Sequence, residues 1–88
     1  MRKMLPKYDY SILKSDKSAQ AEVILLILSN STLSPPQITK IIAYTLNLTQ
    51  EQERHLLYHI GRRLTELEKL GKVECVKKSR RRRWYRAK

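Results

Sequence analysis

The spacing of apolar residues divides the chain into three helical stretches and a C-terminal stretch with the period of β-strands. Residues 23–28 form an uninterrupted apolar run that follows good helix formers at residues 19–22. The run alone fits a buried helix or a buried strand, and the residues before it favour a helix over about residues 17–29. The polar residues 30–32 then end that helix.

The first 16 residues are predicted to form a basic N-terminal arm. Tyr8, Tyr10 and Ile12 alternate with other residues as in a short strand. The scattered apolar side chains fit an arm that packs on the core and equally fit an arm that packs on a second subunit.

The second helix is predicted from a capping box. Ser34 stands directly before two prolines and three residues before Gln37. Ser34 is therefore the expected N-cap, and the prolines occupy helical positions at which a missing N–H group costs nothing. Apolar residues continue at helical spacing, and we predict a helix over about residues 35–46.

The third helix, over about residues 50–70, is the longest predicted element. Thr49 and Gln52 form a second capping box after a connection of about three residues, and Gly71 stands where helices usually end. Gly61 predicts a kink or a close helix contact, because glycine costs about 1 kcal/mol relative to alanine in a helix. Apolar residues share one face, and the opposite face carries Glu51, His55, Tyr58, Arg62, Thr65 and Lys69.

From residue 72 the apolar period changes to two, which predicts a β-hairpin over about residues 72–87. Residues 78–81 are the expected turn. Cys75 is interpreted as a small buried residue on the first strand, and Trp84 as a side chain that packs. The elements together predict a mainly α fold with a C-terminal β-hairpin, of the α+β class, in which residues 17–88 form one small domain.

Positive charge is concentrated at the C-terminal end of the chain. The 88 residues include 19 Lys and Arg against 8 Asp and Glu, a formal net charge of +11. Residues 77–88 hold eight of those basic residues and no acidic residue. Such an imbalance opposes folding by self-repulsion and indicates a polyanionic partner.

Cysteine content and hydropathy bear on the compartment. The only cysteine, Cys75, leaves no partner for an intramolecular disulfide and fits a reducing, intracellular compartment. The longest apolar run has six residues, whereas a transmembrane helix needs about 20. We therefore expect a soluble, cytoplasmic protein that has no contact with membranes.

Catalytic and metal-binding motifs are missing from the sequence. The sequence has no glycine-rich phosphate loop, no carboxylate pair with a clear pocket and no nucleophile with an orienting base. We therefore expect neither enzymatic activity nor a cofactor or small-molecule substrate. His55 and His59 have the i, i+4 spacing of zinc ligands, but the residue after His55 is leucine and no obvious third ligand exists except the distant Cys75. No metal site is expected.

Two capped helices joined by a short turn and followed by a hairpin resemble the winged helix-turn-helix family of DNA-binding domains. The string LTELEKLGKV at residues 64–73 is similar to that family's passage from the recognition helix into the first strand of the wing. The resemblance covers residues 17–87 and points to small archaeal or archaeal-virus proteins. The chain departs from the family in its longer third helix and in lacking a dimerising helix after the wing.

The resemblance implies that the third helix lies in the major groove of DNA and that the hairpin is the wing. Glutamine pairs with adenine and arginine with guanine, and the N-terminal part of a recognition helix meets the bases. The expected base contacts are Gln50, Gln52, Arg54, His55, Tyr58 and Arg62. The expected phosphate contacts, for which guanidinium groups offer forked donors, are Lys77, Lys78, Arg80, Arg81, Arg82, Arg83 and Arg86.

Three functions follow as hypotheses. The leading one is a sequence-specific transcriptional regulator that binds double-stranded DNA as a homodimer. The second is a non-specific architectural, nucleoid-associated protein that makes the same phosphate contacts. The third is a winged helix used for RNA binding or protein assembly.

Overall fold

The computed structural model describes residues 8–88, which form four helices followed by a two-stranded antiparallel sheet. The elements in chain order are α1 (Tyr10–Leu13), α2 (Lys17–Leu28), α3 (Pro35–Leu46), α4 (Gln50–Lys69), β1 (Val73–Lys78) and β2 (Arg83–Ala87). The predicted α+β class, mainly helical with a C-terminal hairpin, is confirmed. Among these residues no helix has both the length and the apolar character needed to cross a membrane.

The short helix α1 replaces the strand that the alternation of Tyr8, Tyr10 and Ile12 predicted, and that prediction is wrong. The Asp9 carboxylate accepts hydrogen bonds from the Ile12 amide (3.0 Å) and the Ser11 hydroxyl (2.9 Å), and these bonds lower the pKa of Asp9. A capped N–H group favours a helical turn over extended backbone. Residues 1–7 of the predicted arm lie outside the described residues.

The core lies between α2, α3 and α4 and is closed by one residue from α1 and two from the hairpin. Residues 23–28 of α2 are apolar on all sides, but only part of the helix circumference is covered, and Leu26 remains 52% exposed. The buried hydrophobic residues that pack together are Leu13, Ala19, Val23, Ile24, Ile27, Leu28, Ile38, Ile42, Leu56, Ile60, Leu64, Leu67, Val73 and Tyr85.

Three residues join α3 to α4. Asn47 adopts the left-handed conformation (φ 57°), and the Leu48 amide donates to the Ala43 carbonyl at 2.9 Å. Asparagine tolerates this conformation better than most residues, and the bond satisfies a carbonyl at the end of α3. Thr49 then caps α4 by accepting from the Gln52 amide at 3.1 Å, which fixes the direction in which α4 leaves the turn.

α4 continues as a helix through Gly61. The predicted close helix contact there is wrong, and the kink stays a prediction. A Cβ atom placed on Gly61 would meet no atom within 4 Å. The helix ends as predicted at Gly71, whose φ of +77° lets the Lys72 amide donate to the Leu67 carbonyl at 2.9 Å. This is the Schellman arrangement, which turns the chain from α4 into β1.

The hairpin is fastened to the helical part by a bridge that the sequence pattern did not predict. Leu33, between α2 and α3, exchanges two backbone hydrogen bonds with Tyr85 of β2, at 2.9 and 2.8 Å. β2 therefore has β1 on one side and Leu33 on the other. The bridge holds the base of the hairpin against the start of α3.

A bulge in β1 decides which hairpin side chains face the core. Cys75 pairs with Tyr85 and Lys77 pairs with Trp84, so that Val76 is the extra residue. Tyr85 is 4% exposed, whereas Cys75 and Trp84 are half-buried. The interpretation of Cys75 as a buried residue is thus wrong: it lies on the first strand, at the margin of the core.

Candidate nucleic-acid interface

The tip of the hairpin presents a dense group of arginines. Residues 79–82 form the turn, which is closed by a hydrogen bond from the Ser79 amide to the Arg82 carbonyl at 2.7 Å. Arg83 is the first residue of β2, so the arginines span the turn and the returning strand. All of residues 77–83 are exposed, and within residues 8–88 none of the four arginines forms an ion pair.

Two cations further along the hairpin have partners. The Arg86 Nε donates to Glu74 Oε2 at 2.6 Å, directly across the two strands. The Lys77 Nζ lies 5.0 Å from the centroid of the Trp84 ring, within the range of a cation–π contact. Both side chains still reach solvent, but the charge of Arg86 is already balanced, unlike the charges at the tip.

The outer face of α4 carries five of the six residues predicted to contact bases. Arg54, Tyr58 and Arg62 follow one another at intervals of four and lie in one row along the helix. The opposite face is buried in the core. The exposed members of the predicted set are Gln50, Arg54, His55, Tyr58 and Arg62.

Gln52, the sixth predicted base contact, is half-buried and used in the capping box. Its Oε1 accepts a hydrogen bond from the Thr49 amide at 2.9 Å. Bidentate pairing with adenine needs both the oxygen and the nitrogen of the side-chain amide. Base recognition by Gln52 would therefore have to give up one of the two hydrogen bonds of the capping box, while the bond from the Gln52 amide to the Thr49 hydroxyl could remain.

Tyr58 and Arg62 form a joined pair on this face. The Arg62 Nη1 donates to the Tyr58 Oη at 2.8 Å, and the guanidinium carbon lies 5.6 Å from the centroid of the tyrosine ring. The His59 ring meets the Tyr58 ring edge-on, with centroids 5.5 Å apart and planes at 73°. Contacts on two sides thus orient the Tyr58 ring.

Two adjoining clefts connect the hairpin tip with α4. One, of about 330 Å³, lies between the start of α3 and the hairpin and is lined by Pro35, Pro36, Lys78, Ser79, Arg80, Arg81, Arg82, Arg83 and Tyr85. The other, of about 310 Å³, lies between α3 and α4 and is lined by Pro36, Thr39, Lys40, Gln50, Glu53, Arg54 and Leu57. Because Pro36 lines both, the surface runs from the arginine tip to the first turns of α4.

The second cleft is less basic than its lysine and arginine suggest. The Lys40 Nζ lies 3.3 Å from Glu53 Oε2, which links α3 to α4. Arg54 has no such partner within the described residues, and Gln50 is exposed beside it. The free cation of this cleft therefore belongs to α4.

Arg63 is buried, and the sequence interpretation gave it no role. It is only 7% exposed, its Nε donates to Gln20 Oε1 at 3.1 Å, and its Nη1 pairs with Glu66. The Gln20 Nε2 in turn donates to the Leu13 carbonyl at 2.6 Å. A helical wheel would have revealed this residue, since Arg63 shares the buried face of α4 with the apolar residues.

The two histidines of α4, His55 and His59, belong to no group of three possible metal ligands among residues 8–88. No group of three His, Cys, Asp or Glu side chains able to hold a metal ion occurs in the described part of the chain. Partial burial lowers the pKa of His59, and the neighbouring positive charges, Arg63 foremost, lower it further. Neutral imidazole is therefore favoured at position 59, next to the Tyr58 ring.

In comparisons with protein-family models, curated proteins and solved structures, none matches this chain.

Proposed function

We propose that this protein binds double-stranded DNA without catalysing a reaction, as a winged helix-turn-helix domain. In this proposal α4 lies in the major groove and the hairpin is a wing that contacts the phosphate backbone. The observation that carries the proposal is the group of exposed arginines at residues 80–83, which have no acidic partner within residues 8–88. Cations without internal partners are available to replace the counterions of a polyanion.

The arrangement of α4 supports duplex DNA as the polyanion. A major groove about 12 Å wide admits one α-helix, and α4 offers an exposed row with two arginines, Arg54 and Arg62, one on either side of Tyr58. The clefts beside Pro36 join this row to the hairpin tip. If α4 lies in the major groove of a duplex, the phosphate backbone of that duplex would then lie beside the wing.

Binding of a preferred sequence is the more specific form of the proposal. Arg54 and Arg62 have the donors that guanine accepts in the major groove, and Gln50 has the amide that adenine pairs with. These side chains are exposed and are not engaged in helix caps. We propose a cytoplasmic transcriptional regulator that binds as a homodimer to a site with two-fold symmetry, consistent with how helix-turn-helix proteins dock.

An architectural function is the second candidate, and the charge distribution favours it. The greatest density of unpaired cations lies at the hairpin tip, where phosphate contact gives affinity without sequence information. A protein that used mainly this tip would bind all duplexes alike. The two candidates therefore differ in how much α4 contributes.

Competition binding separates these functions. Duplexes selected by the protein from a random pool are labelled, and unlabelled random DNA duplex, duplex RNA and single-stranded DNA compete at fixed salt concentration. We expect the selected duplex to bind at least about a thousandfold more tightly than random duplex, in the range usual for specific sites. Equal competition by random duplex would establish the architectural function, and stronger competition by RNA would overturn the DNA proposal.

A further inference from the structure

We propose that Tyr58 is a positioning residue that holds the Arg62 guanidinium ready to contact a base. This inference rests on the proposed function, and it assigns different roles to two residues of α4. Arg62 would touch the base, and Tyr58 would act through Arg62. The observation that carries it is the pair of contacts between these side chains, one hydrogen bond and one cation–π contact.

The two contacts together restrict Arg62 more than either contact does alone. A hydrogen bond of 2.8 Å fixes Nη1 at the tyrosine hydroxyl, and the guanidinium carbon lies 5.6 Å from the ring centroid. An exposed arginine otherwise has many rotamers, and ordering them on binding reduces affinity. A guanidinium that is ordered before DNA arrives avoids that loss.

The pairing leaves Arg62 able to contact a base. Guanidinium has five N–H groups, and the hydroxyl of Tyr58 accepts only one of them. Bidentate contact with guanine O6 and N7 needs two. Arg62 is exposed and is not part of any ion pair within residues 8–88, so its charge is not balanced by the protein itself.

The ring of Tyr58 has support of its own. His59 meets it edge-on at a centroid distance of 5.5 Å, and aromatic pairs prefer this geometry. Tyr58 nevertheless remains 60% exposed, which keeps Arg62 on the outer face of α4. Tyr58 does not belong to the core cluster. Its contact with His59 therefore lies on the surface, which is consistent with a role in binding.

The free protein provides the first test. ¹⁵N relaxation of the Arg62 Nε–H group is compared in the wild type, in Tyr58→Phe and in Tyr44→Phe. Phenylalanine keeps the ring but removes the oxygen that accepts from Arg62. We expect the order parameter of Arg62 to fall in Tyr58→Phe only. Tyr44 is the matched control because it is 91% exposed and lies on α3. Equal order of Arg62 in all three proteins would overturn the proposal, whatever the protein binds.

A double-mutant cycle on DNA provides the second test. The ratio of affinities for selected and random duplex is measured for wild type, Tyr58→Phe, Arg62→Ala and the double variant. We expect Tyr58→Phe to lower the ratio by about 2- to 10-fold, the cost of ordering one long side chain, and to have no effect once Arg62 is gone. An equal loss in the Arg62→Ala background would mean that Tyr58 contacts DNA directly.

The two tests separate failure of this inference from failure of the proposed function. A wild type without preference between selected and random duplex overturns both sequence recognition and a role for Tyr58 in it. A wild type with a clear preference that Tyr58→Phe leaves unchanged overturns only the positioning role. Support requires both a loss of Arg62 order in the free protein and a loss of preference that depends on Arg62.

Discussion

Arginine occurs in two opposite settings in this molecule. Arg63 is 7% exposed and is held by Gln20 and Glu66. In contrast, the arginines at residues 80–83 project from the end of the hairpin and form no ion pairs within residues 8–88. A buried charge needs partners, since leaving it unpaired costs several kcal/mol. An exposed charge keeps its hydration, so it costs folding less than a buried unpaired charge does, and it stays available to a polyanion. One setting stabilises the fold, and the other leaves a surface for binding.

This difference between paired and unpaired cations shows why the net charge alone overestimates the charge that is available for binding. Of the exposed or partly exposed cations, Arg86 is balanced by Glu74 and Lys40 by Glu53. Such surface pairs contribute little to stability, with a typical range of about 0–1 kcal/mol, but they reduce the attraction for phosphate. Within residues 8–88, the arginines that have no acidic partner lie at the hairpin tip and in the row along α4.

Replacing residues 80–83 together by alanine has the largest expected effect. If all four contact phosphate, the slope of log affinity against log salt concentration falls by about 3 to 4, at about 0.9 per contact. Unfolding by urea should hardly change, because these side chains are exposed. Fluorescence anisotropy with random and selected duplexes at several salt concentrations measures the slope.

A charge-matched control separates position from charge. Lys14 and Lys17 are exposed cations next to α1 and at the start of α2. Removing both lowers the net charge as much as removing Arg82 and Arg83 does. We expect the lysine pair to leave the salt slope nearly unchanged and the arginine pair to reduce it by about 2. Equal slopes for the two double variants would show that only total charge matters.

Local chemistry made the helix starts and the hairpin predictable from sequence. The capping boxes at Ser34 and Thr49 act over three residues, and a positive-φ glycine ends α4, so each signal lies next to the boundary that it marks. The fold class followed from these boundaries and from the change in period. The charge of residues 80–83 likewise lies in the turn and at the start of the returning strand.

Long-range contacts account for what the sequence did not predict. The pairing of Leu33 with Tyr85 joins residues far apart in the chain and involves one residue on each side, too few to show a period. The partner of Arg63 is Gln20, on another helix. The capping role of Gln52 was visible in the sequence, but its conflict with base recognition depends on one oxygen atom. The pairing of Leu33 with Tyr85 and of Arg63 with Gln20 follows from packing, and periodicity does not specify such partners.

Arg63→Ala has the next largest expected effect, on stability and not on DNA. It leaves Gln20 Oε1 without its donor and creates a gap on the buried face of α4. We expect the free energy of unfolding to fall by about 2–3 kcal/mol, measured by urea denaturation. Arg62→Ala is the control on the exposed face and should stay within about 0.5 kcal/mol. Arg63→Ala should leave the slope of log affinity against log salt concentration unchanged. A reduction as large as that caused by the loss of one wing arginine would contradict the structural role of Arg63.

The smallest effects come from the two glycines at the middle and the end of α4. Gly61 has helical backbone and open space around its missing Cβ, so Gly61→Ala should raise the free energy of unfolding by about 1 kcal/mol. Gly71 has φ +77°, where an L-residue is strained, so Gly71→Ala should lower it by about 1–2 kcal/mol. Urea denaturation of both variants measures these changes in the free energy of unfolding, which should have opposite signs.

The affinity of the Gly61→Ala variant for DNA duplexes then tests how the role of α4 differs from that of the hairpin. An added methyl group changes no charge, so the phosphate contacts of the wing and the salt slope should be unchanged. Gly61 lies three residues after Tyr58, on the same side of α4 as the row of Arg54, Tyr58 and Arg62. We expect the preference for selected over random duplex to be unchanged too, because the added methyl group meets no atom within 4 Å and leaves the side chains of the row in place. A loss of preference in this more stable variant would mean that DNA approaches the α4 backbone at Gly61, and that the contact surface is wider than the row.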